Sequence, residues 1–201
     1  MTPLVRLTAI AAPLLRENID TDAIIPSREM TSVSKTGLAD GLFAGWRYTQ
    51  VGGREPNPAF ILNQPRYHDA RILLGGPNFG CGSSREHAVW ALAEYGFRAI
   101  IAPSFNPIFQ GNCIRNGVAP VILSAEAIAQ IAALDTDVTV DLATLRVWAG
   151  DASWSFALAD EPREMLMEGL DAIELTLKRR QEITAFRAAD AARRPWVYLP
   201  A

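Results

Sequence analysis

The strongest constraint on the fold is an alternation of apolar runs with one helical stretch near the middle of the chain. Residues 70–76 (ARILLGG) are a short apolar run that ends in glycine, which is typical of a buried strand. Residues 84–95 (SREHAVWALAEY) are predicted to be helical, with Gly96 as the stop signal. A second apolar run follows at 98–103 (RAIIAP). This order predicts a βαβ unit, in which a right-handed crossover joins two parallel strands.

The flanking segments predict further elements. Residues 5–14 (VRLTAIAAPL) indicate a first strand, and residues 18–26 (NIDTDAIIP) indicate a turn that enters a short strand. Residues 106–117 (NPIFQGNCIRNG) indicate a second helix before a strand at 118–123 (VAPVIL). Three later runs alternate apolar and polar residues, as antiparallel strands with one wet face do: DVTVDL at 137–142, LRVWAG at 145–150 and SWSFAL at 153–158.

Together these patterns predict an α/β fold with a parallel βαβ core, a smaller second sheet and C-terminal helices. The length of 201 residues suits one domain that spans residues 1–201. Residues 27–65 are rich in Gly, Asn and Pro, and an irregular segment of this length is usually functional or mobile. Residues 161–201 are predicted to form a charged helical extension.

Composition narrows the classes of partner. A net charge of −3 and a pI of about 5.4 disfavour a nucleic-acid binder, which usually carries a basic excess. No apolar run approaches the roughly 20 residues that span a bilayer, so no membrane segment is expected. The stretch 7–15 (LTAIAAPLL) is short and broken by Pro13, which favours a buried strand over a signal peptide. With Cys81 and Cys113 as the two cysteines, no disulfide framework is indicated, and a cytoplasmic location is expected.

The stretch 78–88 (NFGCGSSREHA) concentrates reactive side chains. Its Ser83-x-x-Glu86 spacing predicts a capping box, with Ser83 at the helix N-cap and Glu86 reaching back to the amide of Ser83. A nucleotide loop is disfavoured, because Arg85 occupies the place of the third glycine in G-x-G-x-x-G. The G-x-S-x-G elbow of serine hydrolases is not matched either.

Other chemistry at this stretch stays open. Ser84 and His87 could form a dyad on one helix face. Cys81 could be a nucleophile at a helix N-terminus, although a small residue that fills a tight turn is the preferred interpretation. Asp20 and Asp22 could bind Mg²⁺, although aspartates in turns usually bond local backbone amides.

No metal site is predicted on this chain. His68 and His87 lack ligand spacing, and two distant cysteines cannot hold a [4Fe–4S] cluster.

Anion binding at the stretch 78–88 has the strongest support. Free amides at a helix N-terminus, the positive end of the helix dipole and Arg85 would converge at the carboxyl end of a parallel strand. Arg85 can bind a carboxylate through two hydrogen bonds. Ser83 and Ser84 lie in the same predicted pocket.

Seven stretches follow one another along essentially the whole chain: NIDTDAIIP, LFAGWRY, NPAFILN, NFGCGSSREHAVWAL, APSFNPIFQGNCIRNG, GLDAIELTL and RRPW. Together they resemble the 3-isopropylmalate dehydratase small-subunit family of the aconitase superfamily, and NFGCGSSREHA is the most specific of them. One departure is Glu174, which lies where bacterial members usually have glycine.

The resemblance implies a swivelling β/β/α domain that acts as a heterodimer with a separate large subunit. That subunit would carry a [4Fe–4S] cluster and most ligands of a small dicarboxylate substrate. The implied activity is that of a hydro-lyase, which isomerises 2-isopropylmalate and 3-isopropylmalate by dehydration and rehydration in leucine biosynthesis.

The resemblance also implies roles for single residues. Ser83 would be the catalytic base. The substrate would be contacted by Ser84, Arg85, Asn78 and Gly82. The residues implied to support the site are Asp20, Thr21, Asp22, Glu86 and His87.

The loop SREMTS, residues 27–32, is implied to read the side group of the substrate. Arg28 would suit an extra carboxylate, as in homoaconitate, and Met30 would suit an isopropyl group. The long loop resembles the bacterial isopropylmalate type, which favours that substrate. Small subunits of homoaconitate-type or citraconate-type hydro-lyases stay open as alternatives, as does a non-catalytic assembly module.

Overall fold

The computed structural model describes residues 1–30 and 34–198, and these contain two four-stranded sheets. The first sheet is parallel, and its strands in spatial order are β2 (Ala11–Leu14), β3 (Ile72–Gly75), β4 (Ala99–Ala102) and β5 (Ala119–Ile122). Every residue of β3 and β4 is buried, as expected for a parallel sheet covered on both faces. The predicted βαβ unit is confirmed, because β3 and β4 pair in parallel on either side of a helix.

The second sheet is antiparallel, and its strands in spatial order are β1 (Arg6–Ala9), β6 (Val138–Asp141), β7 (Arg146–Ala149) and β8 (Ala152–Ser155). The three alternating runs are therefore confirmed as antiparallel strands, but all four residues of β6 are buried, so the predicted wet face is wrong for this strand, and β8 covers only residues 153–155 of the third run. The α/β prediction, with a parallel core and a second sheet, is also confirmed.

The single strand predicted over residues 5–14 is wrong. The run is divided at Ile10 into β1 and β2, which belong to different sheets. The carbonyl of Ile10 accepts from the amides of Arg71 and Ile72 at 3.3 and 3.4 Å, so the chain changes its pairing partner at this residue. Pro13 is tolerated because β2 is an edge strand, where a missing N–H need not break a ladder.

Eight α-helices accompany the sheets within the described residues: α1 (Thr21–Ile24), α2 (Ala44–Arg47), α3 (Glu86–Tyr95), α4 (Pro107–Arg115), α5 (Ala125–Ala133), α6 (Asp160–Glu168), α7 (Ala172–Leu177) and α8 (Arg180–Arg193). The helices predicted at 84–95 and 106–117 are confirmed as α3 and α4. The short strand predicted within 18–26 is wrong, because this segment forms α1. The side chain of Asp20 accepts from the amide of Ala23 at 2.6 Å, and such a cap offers the backbone an alternative to a strand ladder.

The parallel sheet separates two apolar clusters, because side chains alternate between its faces. Leu73 and Ile100 face a cluster that also contains buried side chains of α3, α4 and the segment 27–65. The opposite cluster joins the parallel sheet to the antiparallel one, and it includes Ile72, Leu74, Ile101, Val140 and Val147.

Two predicted segments reach beyond the described residues. Thr31 and Ser32 of the predicted specificity loop lie outside them, and so do residues 199–201 of the C-terminal extension. Within 34–65, the chain forms α2 and short 3-10 turns at Ala39–Gly41 and Ile61–Asn63.

Glu174 has a local structural role at the start of α7. The carboxylate of Asp171 accepts from the amide of Glu174, and the carboxylate of Glu174 accepts from the amide of Asp171, which completes a capping box. A glycine at this position could not make that contact.

Candidate functional site

The stretch 78–88 follows the end of β3, at the carboxyl edge of the parallel sheet. Helix α3 does not begin until Glu86, so residues 78–85 connect the strand to the helix; they are called the serine turn below. Open α/β sheets bind their ligands at this edge. The serine turn therefore lies where the sequence predicts an anion site.

Aromatic packing and one glycine fix the path of the serine turn. The ring of Phe79 is buried, and its centroid lies 6.1 Å from that of Phe105 and 5.5 Å from that of Phe109. Gly80 has a φ of +74°, and a Cβ atom at this residue would lie 2.1 Å from the ring of Phe109. Only glycine meets both demands, because it has no Cβ and adopts positive φ freely.

The segment 18–22 runs beside the serine turn. Two main-chain hydrogen bonds join them, from Gly80 to the carbonyl of Ile19 (2.8 Å) and from Thr21 to the carbonyl of Cys81 (2.9 Å). The side chain of Asn78 donates to that of Asn18 at 2.8 Å. Gly82 has a φ of +89°, and a Cβ atom there would lie 3.3 Å from the Cβ atom of Asp20. The structure thus brings Asn78, Gly82, Asp20 and Thr21 together.

The predicted capping box at Ser83 is wrong. Helix α3 has Arg85 at its N-cap, and no side chain within the described residues caps it. The carbonyl of Ser83 accepts from the amide of Arg85 at 2.7 Å and from the hydroxyl of Thr21 at 3.0 Å, so the chain turns once more before the helix begins. Glu86 accepts from the side chain of Asn116 at 2.8 Å instead of reaching back to Ser83.

The guanidinium of Arg85 forms an ion pair with the carboxylate of Asp22. The side chains of Arg85 and Asp22 are 26% and 54% exposed, so the pair contributes little stability and mainly orients the guanidinium. Arginine has five N–H donors in a fixed fork, which leaves donors for a second carboxylate.

The Ser84–His87 dyad is not formed. Ser84 lies before α3, so the two residues do not share a helix face, and no hydrogen bond joins them in the described part of the chain. The ring of His87 packs instead on Trp90, with 4.6 Å between centroids.

The two cysteines have environments that suppress the thiolate. Cys81 is partly buried in the serine turn, and burial together with the nearby carboxylate of Asp20 raises the pKa of its thiol. Complete burial raises the pKa of Cys113 as well. The interpretation of Cys81 as a residue that fills the turn therefore fits better than activation by a helix N-terminus, which would lower its pKa.

Alkylation should report these environments. At neutral pH, iodoacetamide is expected to modify Cys81 more slowly than the cysteine of an unstructured peptide, because less thiolate is present. The rate at Cys81 should increase as the pH rises toward the raised pKa, whereas Cys113 should react only after unfolding. Mass spectrometry of timed samples would measure both rates, and fast modification of Cys81 at pH 7 would contradict this account.

The residues of the predicted specificity loop have different surroundings. The Nε atom of Arg28 lies 3.3 Å from the carboxylate of Glu29, whose side chain is only 6% exposed. Arg54 donates to the same carboxylate at 2.6 Å. Met30 is partly buried against the first apolar cluster. Sequence reasoning missed Glu29 and Arg54, because an isolated charge in an irregular segment does not indicate a buried ion pair.

This chain is similar to known proteins over most of its length. Residues 1–126 match the family model of the aconitase C-terminal domain. The chain is 57% identical over 205 residues to the 3-isopropylmalate dehydratase small subunit of Cupriavidus necator, covering 98% of this chain and 99% of that relative. The chain belongs to the 3-isopropylmalate dehydratase small-subunit family.

Two further members show how widely the likeness extends. The small subunit from Sinorhizobium medicae is 45% identical and is matched over its full length. The crystal structure of 3-isopropylmalate dehydratase from Methanocaldococcus jannaschii superimposes with a TM-score of 0.67 at 27% identity, over 91% of this chain and 99% of that one. The family suggested by the sequence motifs is thereby confirmed.

Residues 1–30 and 34–198 hold neither a metal-binding cluster of side chains nor a membrane-spanning helix. No group of three or more His, Cys, Asp or Glu side chains in these ranges is arranged to hold a metal ion. No helix in them is long and apolar enough to cross a membrane. His68 is exposed just before β3.

Proposed function

We propose that this chain is the small subunit of a cytoplasmic 3-isopropylmalate dehydratase, which interconverts 2-isopropylmalate and 3-isopropylmalate in leucine biosynthesis. The observation that carries the proposal is the uncapped start of α3, where exposed Ser83 and the oriented Arg85 precede the helix within the described residues. The shared names of relatives that match nearly the whole chain support the same substrate.

Ser83 would act as the base that removes a proton from the carbon next to a substrate carboxylate. A serine hydroxyl is a weak base, so its oxyanion form needs nearby donors and positive charge. The first turn of α3 lacks a side-chain cap among the described residues, which leaves helix amides for an anionic group. Arg85 adds the positive charge.

The substrate carboxylate would bind beside this serine. Arg85 would use the guanidinium donors that Asp22 does not occupy, and Ser84 would donate its exposed hydroxyl. Gly82 and Asn78 would line the approach, because both lie on the face where the serine turn meets segment 18–22.

The remaining residues would support the site through contacts that the structure describes. Thr21 holds the carbonyl of Ser83, and Asp22 orients Arg85. Asp20 caps α1, which carries Thr21 and Asp22. Glu86 ties the start of α3 to Asn116. His87 packs on Trp90 and would help to hold the first turn of α3.

The proposal assigns the [4Fe–4S] cluster to a separate large subunit with which this chain would form a heterodimer. The thiols of Cys81 and Cys113 do not form a cluster site: one lies in the serine turn and the other is completely buried. The cluster, when present, would supply a Lewis acid for the leaving hydroxyl. This chain would supply the base and the carboxylate donors.

The surroundings of Arg28 favour an uncharged side group on the substrate. Its Nε atom lies 3.3 Å from the carboxylate of Glu29, which offsets part of its positive charge and so weakens its attraction for the extra carboxylate of a homoaconitate-type acid. Met30 offers an apolar surface nearby in sequence. These two observations support isopropylmalate over the alternatives.

Reconstitution with a cognate large subunit tests the proposal. The small subunit alone should not turn over 2-isopropylmalate, and the mixture with a cluster-loaded large subunit should form 3-isopropylmalate. Homoaconitate-type and citraconate-type acids should react more slowly in the same assay. Preference for one of them would reassign the substrate. Stable assembly without turnover of any of these acids would indicate a non-catalytic assembly module.

A further inference from the structure

Near the end of α3, the carboxylate of Glu94 binds three consecutive backbone amides. It accepts from Gly37 at 2.6 Å, from Leu38 at 2.5 Å and from Ala39 at 2.9 Å. Burial alone would raise the pKa of Glu94, but the three amides outweigh it and the pKa is lowered. Glu94 is therefore charged at neutral pH, and these bonds weaken only as the pH falls through the lowered pKa.

Residues on both sides of the stretch that contains Arg28 and Met30 are attached to α3 or to its N-cap residue. At the start of the helix, Asp22 pairs with Arg85, and near its end Glu94 holds residues 37–39. With a rise of about 1.5 Å per residue, the two attachment points lie roughly 13 Å apart along the helix. Arg28 and Met30 thus lie in sequence between two points that are attached to this helix or its N-cap residue.

Residues 35–39, which lead to the contact with Glu94, lie along α3. The ammonium of Lys35 lies 5.4 Å from the ring centroid of Trp90, and it donates to the side chain of Asn116 at 3.0 Å. Asn116 in turn donates to Glu86. Residues 35–39 therefore follow α3 toward Glu94.

A close contact carries this attachment to the predicted specificity residues. The amides held by Glu94 lead directly into the 3-10 turn Ala39–Gly41. A Cβ atom on Gly41 would lie 2.6 Å from the Cβ atom of Glu29, so the backbone of Gly41 packs tightly against Glu29. Glu29 pairs with Arg28. A shift of the segment at Glu94 would consequently move Glu29 and, with it, Arg28.

We propose that Glu94 is a positioning residue for substrate specificity: it fixes residues 37–41 on α3 and thereby places Arg28 and Met30 where the substrate's side group is read. This inference rests on the proposed function, because it concerns the same site. Glu94 does not touch the reacting atoms. Its effect should therefore be on substrate binding and on choice among side groups.

Limited proteolysis of the isolated subunit tests the attachment without any activity assay. Glu94→Gln removes the negative charge and replaces one carboxylate oxygen by an NH2 group, which cannot accept from the backbone amides of residues 37–39. The segment should then open more often, so trypsin should cleave after Lys35 about tenfold faster or more. Glu126→Gln, on the exposed first turn of α5, is the matched control and should leave the rate unchanged. An unchanged rate in Glu94→Gln would overturn the proposal.

Kinetics of the reconstituted enzyme test the effect on specificity. Glu94→Gln should raise KM for 2-isopropylmalate about tenfold and change kcat by less than about threefold. The ratio of kcat/KM for the acid with an isopropyl side group to that for an acid with a methyl side group should fall. Glu94→Asp keeps the charge with a shorter side chain, so it should retain part of the preference for the isopropyl group. It also tests the proposal if Glu94→Gln folds poorly. Faster cleavage with unchanged KM and preference would leave Glu94 a purely structural residue and overturn the proposal.

The two hypotheses fail in different ways. If the wild-type mixture turns over none of the acids, the proposed function is contradicted, and the specificity role falls with it. The cleavage rates then still decide whether Glu94 holds the segment. If the wild type is active and kcat alone falls in Glu94→Gln, the positioning role is overturned while the proposed function stands.

Discussion

Ser83→Ala is expected to lower turnover of the reconstituted enzyme by roughly 10²–10⁴-fold, because the variant lacks the proposed general base. Folding should not change. Ser83 is exposed, and its side chain does not cap α3, so the loss of about 1 kcal/mol that follows removal of an N-cap should not occur. The contacts that hold this residue are made by its carbonyl, which alanine retains.

Ser84→Ala is the matched control for this experiment. It removes a neighbouring exposed hydroxyl that is proposed to bind substrate, so it should raise KM more than it lowers kcat. Steady-state rates, thermal midpoints and co-purification with the large subunit should be measured for both variants. Near-normal kcat in an assembled Ser83→Ala enzyme would remove Ser83 from the chemistry.

Gly80→Ala is expected to destabilise the subunit by about 3 kcal/mol. An added Cβ atom would lie 2.1 Å from the ring of Phe109, and overpacking of a core costs about 1–3 kcal/mol. The φ of +74° adds about 1–2 kcal/mol for a residue with a side chain. For a chain of this length, the midpoint of thermal unfolding should fall by roughly 6–12 °C.

Gly45→Ala provides the control, because a Cβ atom at Gly45 meets nothing within 4 Å and its φ is not in the positive range. Its midpoint should stay the same or rise slightly, since alanine favours the helix α2. Calorimetry of the two variants beside the wild type gives the comparison. Equal midpoints for all three would show that the serine turn can move away from Phe109.

Local patterns predicted most of the fold. The predicted apolar runs contain β3 and β4, and the predicted helix ends at Gly96 as α3 does. These features were predictable because they depend on residues that are close together in the sequence. The division at Ile10 was not predicted, because it depends on which distant strand each half of 5–14 pairs with. The helix at 21–24 was missed because Asp20 caps it, a local contact that competes with the apolar pattern of a strand.

The candidate site shows the same division between local and distant contacts. The motif predicted an anion site at the end of β3, and the serine turn lies there. The predicted capping box is wrong because the carbonyl of Ser83 accepts a hydrogen bond from the hydroxyl of Thr21, a residue 62 positions away, and this contact holds Ser83 outside the helix. Glu94 was not recognised for the same reason: its partners, the amides of 37–39, are ordinary backbone groups more than 50 positions away.

The change of partner at Ile10 has a mechanical consequence. One residue separates a strand of the antiparallel sheet from an edge strand of the parallel sheet, so neither sheet can shift by a register step without pulling on the other. The apolar cluster between the sheets adds a second link. Heat or denaturant should therefore melt both sheets in a single cooperative transition, and the serine turn would keep its shape until that transition.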